Sequence, residues 1–506
     1  VTGAREPVVN WGVLKMKNNA SKSALLRARL NHPVIDVDGH TVEFTPAFFD
    51  YLRDVGGSSV VERYRAAGFG FGCAPDWYHL TPAERVRRRA ARPPWWALPT
   101  RNTLDRATAT LPKLLHERLD ETGIDFTVLY PSLGLSAPYL EDEEVRRAAC
   151  RAFNKLSADS YREYADRMTP AAIIPMHTPT EALDELDYAV KTLGLKSIMM
   201  ASHVIRPIPI VAEEAPSYAS YASYIDNFCL DSPYDYDPVW RKCLELKVVP
   251  GFHSSGMGWG GRRTSNYMFN HIGHFAAAAE VLCKALFFGG VTVRFPALKF
   301  AFLECGVGWA CSLFADIVGH WDKRNRQSLE NYNPDNLDRR LFIELFERYG
   351  GALVADKLDQ LRANGMLAGP REDPATLDDF AKCAIIKRSD IAARFVPNFF
   401  FGCEADDPVN GLAFDRKKLP FRTKLNAVLS SDIGHWDVPD MRAVLEEAYE
   451  LVEKEVMTED DFRDFSFTNP AKMLAGSNAD FFKGTVVAEQ VASLLTRTSA
   501  QEQARL

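Results

Sequence analysis

Asp38 and His40, in the run Val34-Ile35-Asp36-Val37-Asp38-Gly39-His40, are the first residues whose types and spacing could do chemistry. Residues two apart on a β-strand project to the same face, so both can reach one point beyond the strand's C-terminal end. A carboxylate and an imidazole there suit a divalent metal, although many strands end in Asp or His only to cap a turn. Two later apolar runs answer the first. Val248-Val249-Pro250-Gly251-Phe252-His253 closes on a histidine, and Leu425-Asn426-Ala427-Val428-Leu429-Ser430-Ser431-Asp432 closes on an aspartate. Asp38, His40, His253 and Asp432 are therefore expected to converge on one divalent ion (zinc, manganese or iron) at one face of a parallel barrel.

Other ionisable groups fall at or just beyond apolar strand ends: His177, His203, Glu304 and Glu404. His271 and His274 are three apart on an expected helix and would share a face, with substrate contact and ordinary packing equally open to them. His435 follows Asp432 by three residues and could orient substrate or cap a helix. Arg294, before the sixth strand, and Arg262-Arg263, after the fifth, could hold a substrate carboxylate, with a surface ion pair the simpler alternative for each. The candidate substrate-binding set is thus His271, His274, Arg294 and His435, and the candidate catalytic pair is Asp432 and Glu304.

The elements that must position these residues alternate. Strands are expected at Pro33–Val37, Phe126–Tyr130, Ala171–Pro175, Lys196–Met200, Val248–Phe252, Lys299–Leu303, Asn398–Phe401 and Leu425–Leu429, with helical stretches such as Thr45–Val55, Thr110–Thr122, Glu143–Met168, Pro179–Leu193 and His271–Phe288 between them. Apolar strands separated by helices imply βαβ units and a parallel sheet. Eight such strands close an α/β (β/α)₈ barrel. The expected organisation is an N-terminal arm over residues 1–32, a barrel over 33–480 and a helical tail over 481–506. Insertions are expected at about 56–101 and 309–390. The first is punctuated by Pro93-Pro94-Trp95-Trp96, and the second is a helical subdomain between strands six and seven that would cover the C-terminal mouth. Tyr218–Tyr224 and Tyr234-Asp235-Tyr236 read as a loop after strand four.

A net charge of -7 argues against a nucleic-acid binder, which needs a basic surface. The one basic cluster, Arg85–Arg92, reads as a solvated helix face. Nine cysteines without a CxxC pair suggest neither a disulfide framework nor a cysteine zinc site. A soluble, cytoplasmic protein without a membrane span is expected, with small-molecule substrate as its partner and a homodimer as its compatible assembly.

Ile35-Asp36-Val37-Asp38-Gly39-His40, Gly251-Phe252-His253, Phe295–Glu304, Ser431-Asp432-Ile433-Gly434-His435 and Asn469-Pro470-Ala471 together resemble motifs of the amidohydrolase superfamily. The likeness is to its group containing aminocarboxymuconate-semialdehyde decarboxylase and related metal-dependent hydrolases. The resemblance spans about residues 33–475 and implies that Asp38, His40, His253 and Asp432 are metal ligands. Two positions depart from the family's pattern: Asp38 stands for the commoner histidine, and Glu304 for a histidine that handles the proton of the activated water. Glu304 could take over that role, ligate the metal or cap the following glycine turn. The function implied is metal-dependent hydrolysis of a small organic substrate through metal-activated water, and the aromatic and arginine-rich excursions point to a carboxylated or aromatic one. Non-oxidative decarboxylation, iron-dependent oxygen chemistry and a non-catalytic ligand-binding barrel are the alternatives.

Overall fold

The computed structural model describes residues 20–67, 76–93, 101–253, 255–364 and 376–503, with side chains described to residue 497. Ten strands are present among them: β1 (Ile35–Thr41), β2 (Phe126–Pro131), β3 (Met168–Ile174), β4 (Ser197–Met200), β5 (Val204–Pro207), β6 (Ser223–Asp226), β7 (Pro250–Phe252), β8 (Phe300–Phe302), β9 (Phe399–Glu404) and β10 (Asn426–Ser430). Eight form one sheet in the order β1-β2-β3-β4-β7-β8-β9-β10, each neighbouring pair parallel. The sheet closes just past β10, where Asp432 N donates to Asp38 O (2.9 Å) and His40 N to Ile433 O (2.7 Å). This is the expected (β/α)₈ barrel, with all eight strands where the apolar runs place them.

The strands are buried on both faces, as in a sheet enclosed by helices. Their alternate residues divide between two apolar clusters. Ala171, Ile173, Met199, Ala301, Leu303, Phe400 and Val428 belong to one. Ala172, Ile174, Ile198, Met200, Phe300, Phe302, Phe399 and Phe401 join the other, with Trp240, Leu282, Phe314 and Phe395 of the surrounding helices. The period of two holds even where both faces are apolar. The N-terminal helix Lys22–Arg29 is capped by Ser21, whose side chain accepts from Ala24 N, and it buries Leu26. Phe481 and Phe482 pack edge-on against Phe126, so the C-terminal segment begins as part of the barrel packing.

Four local features differ from the sequence-based expectation. The helix expected at Thr45–Val55 continues to Ala67 across a break at Gly57, whose φ of 77° is a left-handed conformation that glycine adopts without strain. The first insertion is therefore partly helical, and Pro94-Trp95-Trp96 lie outside the described residues. In its described part, Arg85 stacks over Trp77 at 3.7 Å and Arg88 pairs with Asp76. The region after β4 is more than a tyrosine-rich loop, because β5 and β6 pair antiparallel within it. Tyr236 is buried with its hydroxyl donating to Met176 O (2.7 Å), whereas Tyr218 and Tyr221 are exposed. Finally, Tyr267–Phe288 has the length and hydropathy of a membrane span, contrary to the expectation that no segment does. Gly273 breaks it (φ 71°), and Phe275, Ala278, Leu282 and Leu286 are buried as in a barrel helix.

Between β8 and β9 the described residues are mainly helical, at Gly308–Arg324, Arg339–Tyr349, Gly351–Val354, Leu358–Asn364, Asp379–Lys382 and Arg388–Phe395. The first and last of these pack on the barrel through Phe314 and Phe395.

Candidate metal centre

β1, β7, β8 and β10 deliver side chains to the C-terminal end of the barrel, in two groups that share His40: Asp38 with His253, and Glu304 with Asp432 and His435. His40 Nε2 lies 3.1 Å from His253 Nε2, 3.6 Å from Asp38 Oδ1 and 3.2 Å from Asp432 Oδ1. His253 Nε2 is 3.5 Å from Asp38 Oδ1 and 3.2 Å from Glu304 Oε2. His435 adds its Nδ1 at 2.8 Å from Asp432 Oδ1, its ring stacked on His40 with centroids 3.5 Å apart. The structure thus brings together Asp38, His40, His253, Asp432, Glu304 and His435.

The backbone is bent to allow this. β1 carries a register shift between Asp36 and Gly39, as expected of a bulge that re-aims side chains beside a site. A Cβ at Gly39 would lie 2.8 Å from Thr127 Oγ1 and 2.9 Å from Asp36 Oδ2, so only glycine fits between the two ligand candidates. Glu304 (φ 50°) and Asp432 (φ 53°) both hold the left-handed conformation that non-glycine residues avoid. Such strain clusters at functional sites. Here it turns two carboxyls inward from β8 and β10.

Asp36 organises the base of the site, and the sequence reading overlooked it. It is fully buried and accepts from Thr127 Oγ1 (2.6 Å), Ser431 N (2.8 Å) and Ser431 Oγ (2.8 Å), tying β1 to β2 and to the turn that carries Asp432. Its signal was available: a carboxylate within an apolar strand must find donors. Ser132, whose Oγ is 3.2 Å from His435 Nε2, was legible only in three dimensions.

The electrostatics of the enclosure are one-sided. Burial pushes Asp38 up to about 8, with Glu304 and Asp36 adding to the rise against the pull of His253. Glu304 is raised well above the usual carboxylate range by burial and by Asp437 and Glu404, and Asp432 by burial, Glu304 and Asp437. His40 is pushed well down by burial, His435 and His253, and burial lowers His253 as well. Both oxygens of Asp38 and Oε2 of Glu304 are buried without a hydrogen bond. Buried polar atoms ordinarily have partners, and a cation would relieve the crowded carboxyls and favour neutral imidazole together. Two imidazoles with two or three carboxylates fit zinc, manganese or iron alike.

The other candidates divide. His271 and His274 do not share one helix, because Gly273 separates Tyr267–His271 from His274–Phe288. They nevertheless touch, His274 Nε2 to His271 Nδ1 at 3.0 Å, and His274 Nδ1 also meets Ser255 Oγ. Both line a cavity of about 160 Å³ beside Glu304, together with Phe275, Glu404 and Asp407. No described residue of the 309–390 insertion lines that cavity, so the mouth at this point is walled by the segments after β7, β8 and β9. Arg294 is not at the site. It lies before β8, at the opposite end of the strand, in a bidentate pair with Asp237 (2.6 and 2.8 Å). Arg262 donates to the carbonyls of Asn270, Ile272 and Gly273, and Arg263 to Gly258 O. The sequence could not show these pairings, because each partner is a backbone carbonyl or a distant aspartate.

His177 and His203 stand outside the cluster. His203 is buried against Trp259 (4.9 Å between centroids), and burial lowers both histidines to about 3. The unfolded chain takes up these protons near pH 6.5 while the folded chain does not, so stability is full above that pH and is lost as pH falls toward 3. Each such histidine contributes up to about 1.4 kcal/mol per pH unit, less for the partly exposed His177. Urea midpoints should therefore fall between about pH 6.5 and about pH 5, with a shallower slope for His203→Phe. Equal slopes in variant and parent would contradict the assignment.

The site is a parallel barrel with clustered His, Asp and Glu side chains at its C-terminal strand ends, where such barrels carry their functional residues. Residues 113–331 match the family model described as amidohydrolase. Among solved structures it is similar to an amidohydrolase from Mycobacterium avium subsp. paratuberculosis K-10, at 16% identity over 88% of this chain and 100% of that one (TM-score 0.49). A dihydroxybenzoic acid decarboxylase from Polaromonas sp. JS666 with bound manganese and 2-nitroresorcinol matches at 14% identity over 89% and 99% of the two chains (TM-score 0.47). The 5-carboxyvanillate decarboxylase from Sphingomonas paucimobilis matches at 14% identity over 87% and 98% (TM-score 0.43).

Proposed function

We propose that the protein is a metal-dependent hydrolase of small organic molecules, with Asp38, His40, His253 and Asp432 holding one divalent cation. The observation that carries this reading is the convergence of these four side chains and Glu304 at the strand ends, with buried carboxyl oxygens that lack hydrogen bonds. A divalent cation there supplies a lowered pKa for water and polarisation of a substrate oxygen.

The chain's own residues then handle protons. Asp432, fixed by His435 Nδ1 at 2.8 Å, is placed to accept a proton from the attacking water. Ser132 Oγ, at 3.2 Å from Nε2, holds that imidazole in orientation. Glu304 Oε2 faces the same point from β8, 3.9 Å from both His40 Nε2 and His435 Nδ1. Burial favours its protonated form, so it can deliver a proton to the leaving atom. The near-complete burial of the cluster keeps bulk water from competing.

Non-oxidative decarboxylation is the second reading, favoured by the same buried acid. A protonated Glu304 in a dry enclosure can deliver its proton to the carbon from which carbon dioxide departs. Turnover in ¹⁸O-labelled heavy water separates the two. Hydrolysis places ¹⁸O in the product, whereas decarboxylation places deuterium on carbon and releases carbon dioxide. Metal analysis of the same preparation should give one divalent ion per chain, and a chain that takes up none after supplementation would sink both readings.

A further inference from the structure

The cavity beside Glu304 has a marked chemical bias. Its volume of about 160 Å³ suits a substrate fragment of a few heavy atoms, and its walls include Glu304, Glu404 and Asp407 with His271, His274 and Phe275. No lysine or arginine is among its described lining residues. Behind the histidine wall stands Arg262, whose guanidinium is committed to the carbonyls of Asn270, Ile272 and Gly273. The carboxylates are less committed. Asp407 uses Oδ1 to cap the turn at Val409 N (2.9 Å), while its Oδ2 lies 3.4 Å from the position a Cβ would take at Gly306. Glu304, 8% exposed, presents an Oε2 without a hydrogen bond.

We propose that this cavity seats a protonated amine of the substrate against Glu404 and Asp407, so that the enzyme acts on small amine-bearing compounds whose scissile bond lies at the metal cluster. The inference rests on the hydrolytic reading of that cluster and narrows its substrate class. The crowding of like charge supports it. Glu404 is solvent-exposed at the end of β9 yet faces Asp437, Asp406 and Asp407, and the crowding of protein atoms and of these like charges raises it above the usual carboxylate range, a repulsion that an ammonium group relieves and a substrate carboxylate would worsen. The expectation of a carboxylated substrate rested on arginines that the fold directs elsewhere.

The test uses three hydroxamates on manganese-loaded, full-length protein, with binding followed by calorimetry. Acetohydroxamate reports the metal alone, while β-alanine hydroxamate and succinic monohydroxamate present an ammonium or a carboxylate at matched length. The ammonium probe should bind at least about tenfold more tightly than the carboxylate probe. In the Glu404→Gln/Asp407→Asn double variant that preference should vanish, while metal content and acetohydroxamate affinity hold. Asparagine retains the oxygen that caps Val409 N, and the Glu404 carbonyl that accepts from Asn410 is backbone, so both changes preserve the local fold. Equal binding of the two longer probes overturns the subsite while leaving the metal reading intact. If metal loads but acetohydroxamate does not bind, the hydrolytic reading and the subsite fail together.

Discussion

Replacing Glu304 with Gln is expected to lower turnover by about 10²–10⁴-fold while the divalent ion stays bound. The substitution keeps the shape of a side chain that a strained φ of 50° aims into the cluster. It removes only the ability of Oε2 to release and regain a proton. His40, His253, Asp38 and Asp432 remain, two imidazoles and two carboxylates, which is a sufficient donor set for a divalent ion. Turnover measured with metal content on the same sample discriminates among the roles open to Glu304. Lost metal with lost activity would make it a ligand. Near-normal activity with normal metal would make it a turn-capping carboxylate and would remove it from the mechanism.

The contrast between Glu304 and the four ligand candidates shows what the sequence could carry. Asp38, His40, His253 and Asp432 were legible because strand periodicity is rigid. An apolar run that ends in an ionisable residue fixes which face and which end that residue occupies. The eight strands were legible for the same reason. Gly273 was harder to read, since an apolar helical pattern runs through it and only the φ of 71° separates His271 from His274 into two helices. The hairpin of β5 and β6 escaped because two four-residue strands leave too short a pattern. Arg294 and Arg262 misled for a different reason. An arginine's position in the chain says nothing about its reach, and Asp237 or a trio of carbonyls captured each. The left-handed backbone at Glu304 and Asp432 has no composition signal at all, because it is imposed by the packing around it.

Asp38→Asn is expected to act in opposite directions on the two forms of the protein. With chelator present, the variant should be at least as stable as the parent. Asp38 is fully buried, neither of its oxygens makes a hydrogen bond, and Asp36 and Glu304 stand near enough to raise its proton affinity. An uncompensated buried carboxylate opposes folding, and the amide removes that charge with little change of shape. With metal present the order should reverse. Binding to the native state stabilises the parent by about 2.7 kcal/mol when metal is at a hundredfold excess over its dissociation constant. The variant, lacking an anionic donor at β1, should lose most of that increment. Urea unfolding with and without metal reads both effects in one experiment. Equal destabilisation in the two conditions would mean that Asp38 supports the barrel rather than an ion. A variant that keeps the full metal increment would place the ion on His40, His253, Asp432 and Glu304 instead. The opposed signs follow from one arrangement: carboxyls held together against their own repulsion are costly to fold and ready to bind a cation.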